Sequence, residues 1–452
     1  MSSKNRERRK AKQKARPAGG SVFGLTEERG RPAEQRVHPA DVVVRLVNDS
    51  LVALYAKDEA TAQRRCAMLA DGSGGTGGPR SVDAALTMLL QRMLTLLWQQ
   101  GWQPADVFRL VQRRHGARHG RLAVDVIAAE MRVYGAATVD ERWEAQLGEL
   151  GATVWWERDD QFLSAFGERE GLDRTALIRC VLEVMFVFNS CPAVQKLCPP
   201  PGKARRGSLV ATAAQGHARQ LDRVRALLAK AESTSFAEEA ETYSAKAQEL
   251  MARYSIDYAL LSAGAARHDE PAGRRIGIDN PYEAQKSLLL GAVAGANRCR
   301  TVWSEDLGFV TVLGFPFDLD GVELLFTSLL VQATGAMVAA GSRRDAYGRS
   351  STRSFRQSFL TAYAQRIGER LTAATEDVTE QAGRDAADRP AAKGLLPVLA
   401  SREAKVGAFV DEIFSGLVSK PVTVSNREGW ESGRAAADRA HLNARRSIAT
   451  ES

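Results

Sequence analysis

Residues 217–257 read HARQLDRVRALLAKAESTSFAEEAETYSAKAQELMARYSID. Apolar residues recur there every three or four positions, first around Leu221 and again around Leu250, which is the pattern of amphipathic helices. Ser235, followed three residues later by Glu238, has the spacing of a capping box, which begins a new helix. The stretch therefore predicts two helices joined by a tight turn. Its many alanines favour close approach of the two helices.

Two parts of this stretch resemble the DUF2786 family, namely LLAKAESTSFAEEAE at 227–241 and AKAQELMARY at 245–254. Three later segments are more weakly similar to the region that accompanies this family: GFVTVLGF at 308–315, SFRQSFL at 354–360 and GWESGRAAA at 429–437. The resemblance implies a bacterial or phage protein. The phrase WQQGWQP at 98–104 resembles an actinobacterial form with an N-terminal helical extension. The family implies no catalytic residues.

Length and composition predict a soluble protein of two or three domains. The chain has 452 residues, of which 44% are hydrophobic and 26% are charged. No apolar run approaches the roughly 18 residues that indicate a membrane span. The five cysteines are too scattered for a disulfide framework, so we expect free thiols, a cytoplasmic location and no membrane partner.

Most of the net charge of +8 lies at the N-terminus. Residues 1–16 contain eight basic side chains and one acidic side chain, Glu7. We expect residues 1–36 to be a disordered basic tail that binds phosphate without sequence preference. The residues of this tail predicted to contact nucleic acid are Lys4, Arg6, Arg8, Arg9 and Lys10.

The predicted fold class is mainly α, with a small C-terminal α+β domain. Strand-like segments at 300–304 and 308–315 predict a β-hairpin within that domain. Residues 268–280 are rich in Gly and polar residues and predict a linker. The predicted divisions are a tail at 1–36, a helical domain at 37–190, a linker at 191–216, the DUF2786-like hairpin at 217–262 and the C-terminal domain at 281–445.

A second basic segment, residues 342–370, contains seven arginines and only two carboxylates. Arginine contacts phosphates, so this segment is a candidate nucleic-acid-binding face. Phe355, Phe359 and Tyr363 are four residues apart, which is core spacing, and we expect them to be buried rather than to stack on bases. The candidate residues of the face are Arg343, Arg344, Arg349, Arg353 and Arg356.

The metal and catalytic motifs are weak. His115 and His119 are four residues apart, a spacing that can align two metal ligands, but the run RRHGARHGR is rich in arginine. Repulsion from these cations disfavours a divalent metal, so the sequence predicts no metal and no cofactor. We find no CxxC pair, HExxH, P-loop or GxSxG, and no catalytic residue can be assigned.

We therefore expect a non-catalytic protein that associates with nucleic acid or with a protein partner. One alternative is a hydrolase that uses carboxylates of the C-terminal domain gathered around one pocket. A second alternative is a pure protein-interaction scaffold. The carboxylates of the hydrolase hypothesis are Asp306, Asp318, Asp320 and Glu323. Gly429, Gly433 and Ala437, again four apart, predict a smooth helix face for packing or self-association.

Overall fold

The computed structural model describes residues 38–204, 211–233, 237–264, 270–343, 349–387, 395–414 and 425–439. Within these ranges the chain forms fifteen α-helices and one three-stranded antiparallel sheet that lies in the C-terminal half. The predicted fold class, mainly α with a C-terminal α+β part, is confirmed.

The helices of the N-terminal half precede the sheet and account for most of the chain up to residue 190. Their bounds are α1 Pro39–Tyr55, α2 Glu59–Asp71, α3 Pro79–Gln99, α4 Pro104–His115, α5 Ala117–Met131, α6 Glu141–Leu150, α7 Phe162–Glu170 and α8 Arg174–Asn189. The later elements are α9 Ala211–Ser233, α10 Ala237–Gly264, β1 Ala272–Gly277, α11 Glu283–Ala296, β2 Arg300–Ser304, β3 Phe309–Gly314, α12 Pro316–Ala339, α13 Thr352–Ala387, α14 Leu395–Ile413 and α15 Arg427–Arg439.

The chain divides into two compact units that do not follow sequence order. The first comprises Met1–Gln99, Val111–Arg132 and Leu150–Ala193. The second comprises Gln100–Leu110, Val133–Glu149 and Val194–Ser452. Two segments that the sequence assigns to the N-terminal helical domain therefore group with the C-terminal half.

Helix α8 is the centre of the first unit and packs against α1, α2, α3, α5 and α7. Its sequence between Cys180 and Asn189 is apolar except for Glu183. Most of its side chains are buried, including Val181 and Met185 on one side and Val187 on the opposite side. Asp173 begins the helix, since its carboxylate accepts a hydrogen bond from the backbone N–H of Ala176 at 2.8 Å. A helix that is apolar on nearly all sides must lie inside a bundle.

The sheet of the second unit has the strand order β1-β3-β2, with both pairs antiparallel. Strands β2 and β3 form the predicted hairpin, with Gly308 in the left-handed conformation at φ 71°. The prediction of a linker over 268–280 is wrong, because this segment contains β1. The alternation of β1 is difficult to recognise because Arg274 and Arg275 interrupt the apolar pattern around Ile276.

The α9–α10 hairpin shares one hydrophobic core with the C-terminal helices. Val224 and Leu228 of α9 and Met251 of α10 are buried with residues of α11, α12 and α13. Helix α9 begins at Ala211, inside the predicted linker. Because it shares this core, the hairpin is part of the second unit.

The predicted capping box lies outside the described residues at Ser235, and the side chain of Glu238 is likewise undescribed.

Helix α12 is the one described helix long and apolar enough to cross a membrane, judged by length and composition alone. Its apolar residues Val322, Leu325 and Leu329 are fully or almost fully buried in the core of the second unit. A long apolar helix of this kind is also typical of the core of a soluble domain.

Helices α13 and α15 pack together through the glycine face predicted from the sequence. A Cβ atom on Gly429 would collide with the carbonyl of Phe355, and one on Gly433 would collide with the carbonyl of Phe359. Ala437 continues the face and is completely buried. Residue numbers rise together along both helices at these contacts, so the helices run parallel. The face serves packing within the chain.

Replacing Gly433 by Ala is expected to lower the free energy of unfolding of the second unit by about 1–3 kcal/mol, because the new methyl group forces the two helices apart. Urea unfolding followed by circular dichroism measures the change. Gly335→Ala on α12 is the matched control, since a Cβ there meets nothing within 4 Å. This control is expected to be neutral or to stabilise by up to about 1 kcal/mol. Equal effects of the two substitutions would contradict the packing role.

A buried ion pair connects β1 to the start of α4 within the second unit. Arg275 donates to Asp106 at 2.6 Å, and their side chains are 1% and 8% exposed. Arg275 also donates to the carbonyl of Gly101 at 3.0 Å and to that of Gln195. Burial raises the pKa of the Asp106 carboxyl, although Arg275 opposes that change. One guanidinium therefore holds three separate chain segments.

The variant Arg275→Met is expected to lose about 3–5 kcal/mol of unfolding free energy, because it leaves Asp106 buried without its cation. Chemical unfolding monitored by tryptophan fluorescence is a suitable measurement. The double variant Asp106→Leu, Arg275→Met is expected to recover part of this loss, since no charge is then stranded. A single variant as stable as the parent would show that the pair is dispensable.

Candidate functional site

The arginine face predicted from the sequence surrounds the N-terminus of α13. Arg353 is exposed in the first turn, Arg356 is partly buried in the second, and Arg349 lies exposed just before the helix. Arg343 is the last described residue of the stretch that follows α12. Arg344 and the tail residues Lys4, Arg6, Arg8, Arg9 and Lys10 lie outside the described residues.

Arg343, which precedes residues 344–348, is linked by hydrogen bonds to Ser351 and Thr352, which follow them. The backbone N–H of Arg343 donates to the hydroxyl of Thr352 at 2.9 Å, and the N–H of Ser351 donates to the carbonyl of Arg343 at 3.0 Å. The side chain of Arg343 lies 2.8 Å from Glu428 and over the ring of Phe355. Arg343 is thus engaged within the protein and positions the start of α13.

Arg353 and Arg356 differ from Arg366 and Arg370, which lie further along the same helix. Within the described ranges, neither lies within ion-pair distance of a carboxylate. The Nε atom of Arg356 is buried and has no hydrogen-bond partner among the described residues. The sequence contains no acidic residue from 346 to 368. Since α13 and α15 run parallel, their N-termini, which carry partial positive charge, lie at the same end of the unit.

The C-terminal half of the predicted arginine run has a structural role. Arg366 binds Asp438 at 2.5 Å and Glu369 at 2.8 Å. Arg370 is buried and donates to the carbonyls of Ala437 and Asp438 at the C-terminal end of α15. A cation at that position satisfies the last carbonyls of a helix and its negative dipole end.

The aromatic stripe of α13 is buried, as its spacing predicts. Phe355, Phe359 and Tyr363 are 0%, 1% and 1% exposed. Phe359 and Tyr363 stack on each other with ring centroids 6.4 Å apart. These rings are therefore core residues and are not accessible for stacking on nucleic-acid bases.

The carboxylates of the hydrolase hypothesis are bound to cations or lie apart. Asp320 contacts His217 and Arg274, each at 2.5 Å, and Glu323 contacts the same Arg274 at 2.6 Å. Asp318 is buried 3.8 Å from Arg402. Asp306 is exposed in the turn between β2 and β3. Arg274 was not predicted because it lies in the segment interpreted as a linker.

The charge network around Asp320 favours its ionised form. Burial by itself would raise the pKa of this carboxyl, but the hydrogen bonds from His217 and Arg274 lower it below its ordinary range. The ring of His217 also packs edge-on against Phe317, with centroids 4.9 Å apart. The network thus joins α9, β1 and α12.

A second cluster, in the first unit, brings together His115, His119 and Glu183. Nε2 of His119 lies 2.8 Å from a carboxylate oxygen of Glu183, and the two imidazole centroids are 5.0 Å apart. Burial alone would raise the pKa of Glu183, but hydrogen bonds from His119 and Arg179 lower it to about 2. Burial lowers the pKa of His115, which favours a neutral ring.

The histidine pair was visible in the sequence, but Glu183 was not, because it lies 64 residues from His119. Its one local signal is that it is the single charged residue between Cys180 and Asn189. A lone carboxylate on an apolar helix needs a partner, and only the packing of α8 identifies that partner.

The α9–α10 hairpin is the part of the chain that is similar to a known protein family. Residues 219–258 match the family described as "Protein of unknown function (DUF2786)". The resemblance predicted from the sequence is confirmed over this segment. No curated protein and no solved structure matches the chain.

The variant Asp320→Asn is expected to lower the free energy of unfolding by about 1–3 kcal/mol at neutral pH, because His217 and Arg274 lose a charged acceptor. The folded-state pKa of Asp320 is depressed, so the carboxylate's contribution is present above its unfolded pKa of about 3.9 and is lost as the pH falls through the folded pKa. The difference in unfolding free energy between the parent and Asp320→Asn should therefore become smaller below about pH 4.

Urea unfolding at neutral pH and at several acidic pH values tests this expectation. Asp306→Asn removes an exposed carboxylate and serves as the control. A stability gap for Asp320→Asn that stays constant down to strongly acidic pH would contradict the proposed ion pairing.

Proposed function

We propose that this protein is a non-catalytic, cytoplasmic nucleic-acid-binding protein whose second unit contacts the phosphate backbone at the N-terminus of α13. The observation that carries the proposal is the pair Arg353 and Arg356, which have no carboxylate partner within the described residues. They occupy the first two turns of a helix in a stretch without acidic residues.

Several features of this surface suit a phosphate backbone. The first N–H groups of a helix point outward and carry partial positive charge, which favours anions. Ser350, Ser351 and Ser354 supply hydroxyl groups beside the arginines. Serine hydroxyls and arginines are common phosphate contacts, and such contacts position a protein on nucleic acid without reading its sequence. Since the aromatic residues of α13 are buried, we expect little base stacking.

The N-terminal tail would add a second, independent contribution. Its eight basic residues contribute positive charge. Such a segment strengthens binding through release of counterions and makes binding depend steeply on salt. We infer that the tail raises affinity whereas the α13 surface determines how the folded protein is oriented on the strand.

The enzyme and scaffold alternatives receive less support from the described residues. The carboxylates that a hydrolase would need at α12 are bound to arginines, and the glycine face that could have served self-association packs against α13. A cytoplasmic location agrees with the five free cysteines. A protein partner at the α13 surface is the competing outcome of the experiment below.

Binding of labelled duplex DNA, single-stranded DNA and RNA should be measured by fluorescence anisotropy across a salt series. The background is the protein lacking residues 1–16, so that the tail does not contribute. Changing Arg353 and Arg356 to Ala is expected to weaken binding equally for all sequences. The slope of log affinity against log salt should fall by about 2, roughly one for each lost phosphate contact.

The matched control changes Arg225 and Arg300 to Ala. Both are exposed arginines of the second unit, but they are paired with Asp222 and Glu403. This control should leave affinity and salt slope unchanged. If the tail-deleted protein does not bind, or binds equally with and without Arg353 and Arg356, the α13 surface is not a nucleic-acid site. A protein partner then becomes the better hypothesis.

A further inference from the structure

We propose that the first unit binds a divalent transition-metal ion, of the Zn²⁺, Co²⁺ or Ni²⁺ kind, through His115, His119 and Glu183. One ligand atom from each of these residues lies within 4.8 Å of the others. Two imidazoles and one carboxylate form a ligand set typical of these ions, whereas Mg²⁺ and Ca²⁺ prefer oxygen ligands alone.

The backbone at Gly116 brings the two histidines together. His115 is the last residue of α4, and His119 lies in the first turn of α5. Gly116 between them adopts φ 91°, a positive value that glycine tolerates and that turns the chain from one helix to the next. The two rings face each other with an interplanar angle of 31°. The junction between two helices, and not one continuous helix, therefore places the two histidines beside each other.

The third ligand is oriented by residues behind it. One oxygen of Glu183 accepts a hydrogen bond from Arg179 at 2.6 Å, while the other faces His119. Arg179 in turn binds Glu59 at 2.6 and 3.2 Å. Metal-binding carboxylates are commonly held in this way by outer hydrogen bonds. Glu183 and Glu59 carry two negative charges against the single positive charge of Arg179, and this excess of negative charge favours binding of a cation.

The arginines that argued against a metal in the sequence are directed to other partners. Arg114 donates to the hydroxyl of Ser190 at 2.5 Å. Arg121 binds Glu170 at 2.5 and 2.8 Å, and Arg118 lies 3.9 Å from the same carboxylate. Glu170 thus partly neutralises two of the cations in this run.

His119 retains a ring nitrogen for an ion. Its Nε2 faces Glu183, and its Nδ1 is buried with no hydrogen-bond partner among the described residues. Since Nε2 is the nitrogen that faces the carboxylate, it is the atom that can share an ion with Glu183. The ion then takes the place of the hydrogen-bonded proton, and Nδ1 carries the remaining N–H. Three protein ligands also leave at least one coordination position open, as in sites where a metal activates water or binds an exogenous ligand.

The test uses the full chain after treatment with a chelator. Zn²⁺ binding is measured by isothermal titration calorimetry, and Co²⁺ binding is followed by its visible absorption, which distinguishes nitrogen and oxygen ligands from thiolates. We expect one ion per chain, no thiolate band and no competition by Mg²⁺. His115→Ala and Glu183→Gln should each weaken binding more than the roughly 10- to 100-fold expected for loss of an outer partner such as Arg179.

The matched control is His217→Ala, which removes a histidine paired with a carboxylate in the second unit. This variant should bind the ion as the parent does. Circular dichroism and a thermal melt establish that each variant is folded. Zn²⁺ should raise the melting temperature of the parent and of His217→Ala but not of Glu183→Gln. The proposal is overturned if the parent does not bind the ion, or if His115→Ala and Glu183→Gln bind it as tightly as the parent does.

Discussion

The buried guanidinium of Arg275 is the interaction on which the second unit depends. Arg275 leaves the middle of β1 and reaches Asp106 together with the carbonyls of Gly101 and Gln195. A cation removed from water requires several acceptors at once, so the segment that holds Gly101 and Asp106 and the segment at Gln195 must both converge on it. Trp102 adds an edge-on contact with Phe309 of the central strand. Segments from the N-terminal half thereby become part of a unit built mainly from the C-terminal half.

The first unit is organised around a different constraint, the burial of α8. This helix is apolar on most sides, and its two charged residues in the buried part, Arg179 and Glu183, must find partners on neighbouring helices. Arg179 binds Glu59 of α2, and Glu183 binds His119 of α5. The requirement to satisfy one partly buried carboxylate therefore brings an acid to the histidine pair.

The sequence predicted most helices, because the spacing of their apolar residues is a local property. It also predicted the β2–β3 hairpin, the buried aromatic stripe of α13 and the packing role of Gly433. It failed at β1, where arginines stand in an otherwise apolar strand, and their burial depends on Asp106, Asp320 and Glu323 elsewhere in the chain. For the candidate binding surface, the sequence located the arginines of 343–370 but could not distinguish Arg353 from Arg370, whose partners lie on α15.

By itself, then, the sequence determined the helical class, the resemblance of residues 219–258 and the concentration of positive charge in the first sixteen residues. Composition and short-range periodicity are sufficient for these properties. Only the tertiary structure decided which charged side chains are neutralised and which remain available to a ligand. Charge pairing acts between atoms a few ångströms apart, and those atoms belong to residues as distant in the chain as Arg275 and Asp106, or Glu183 and His119.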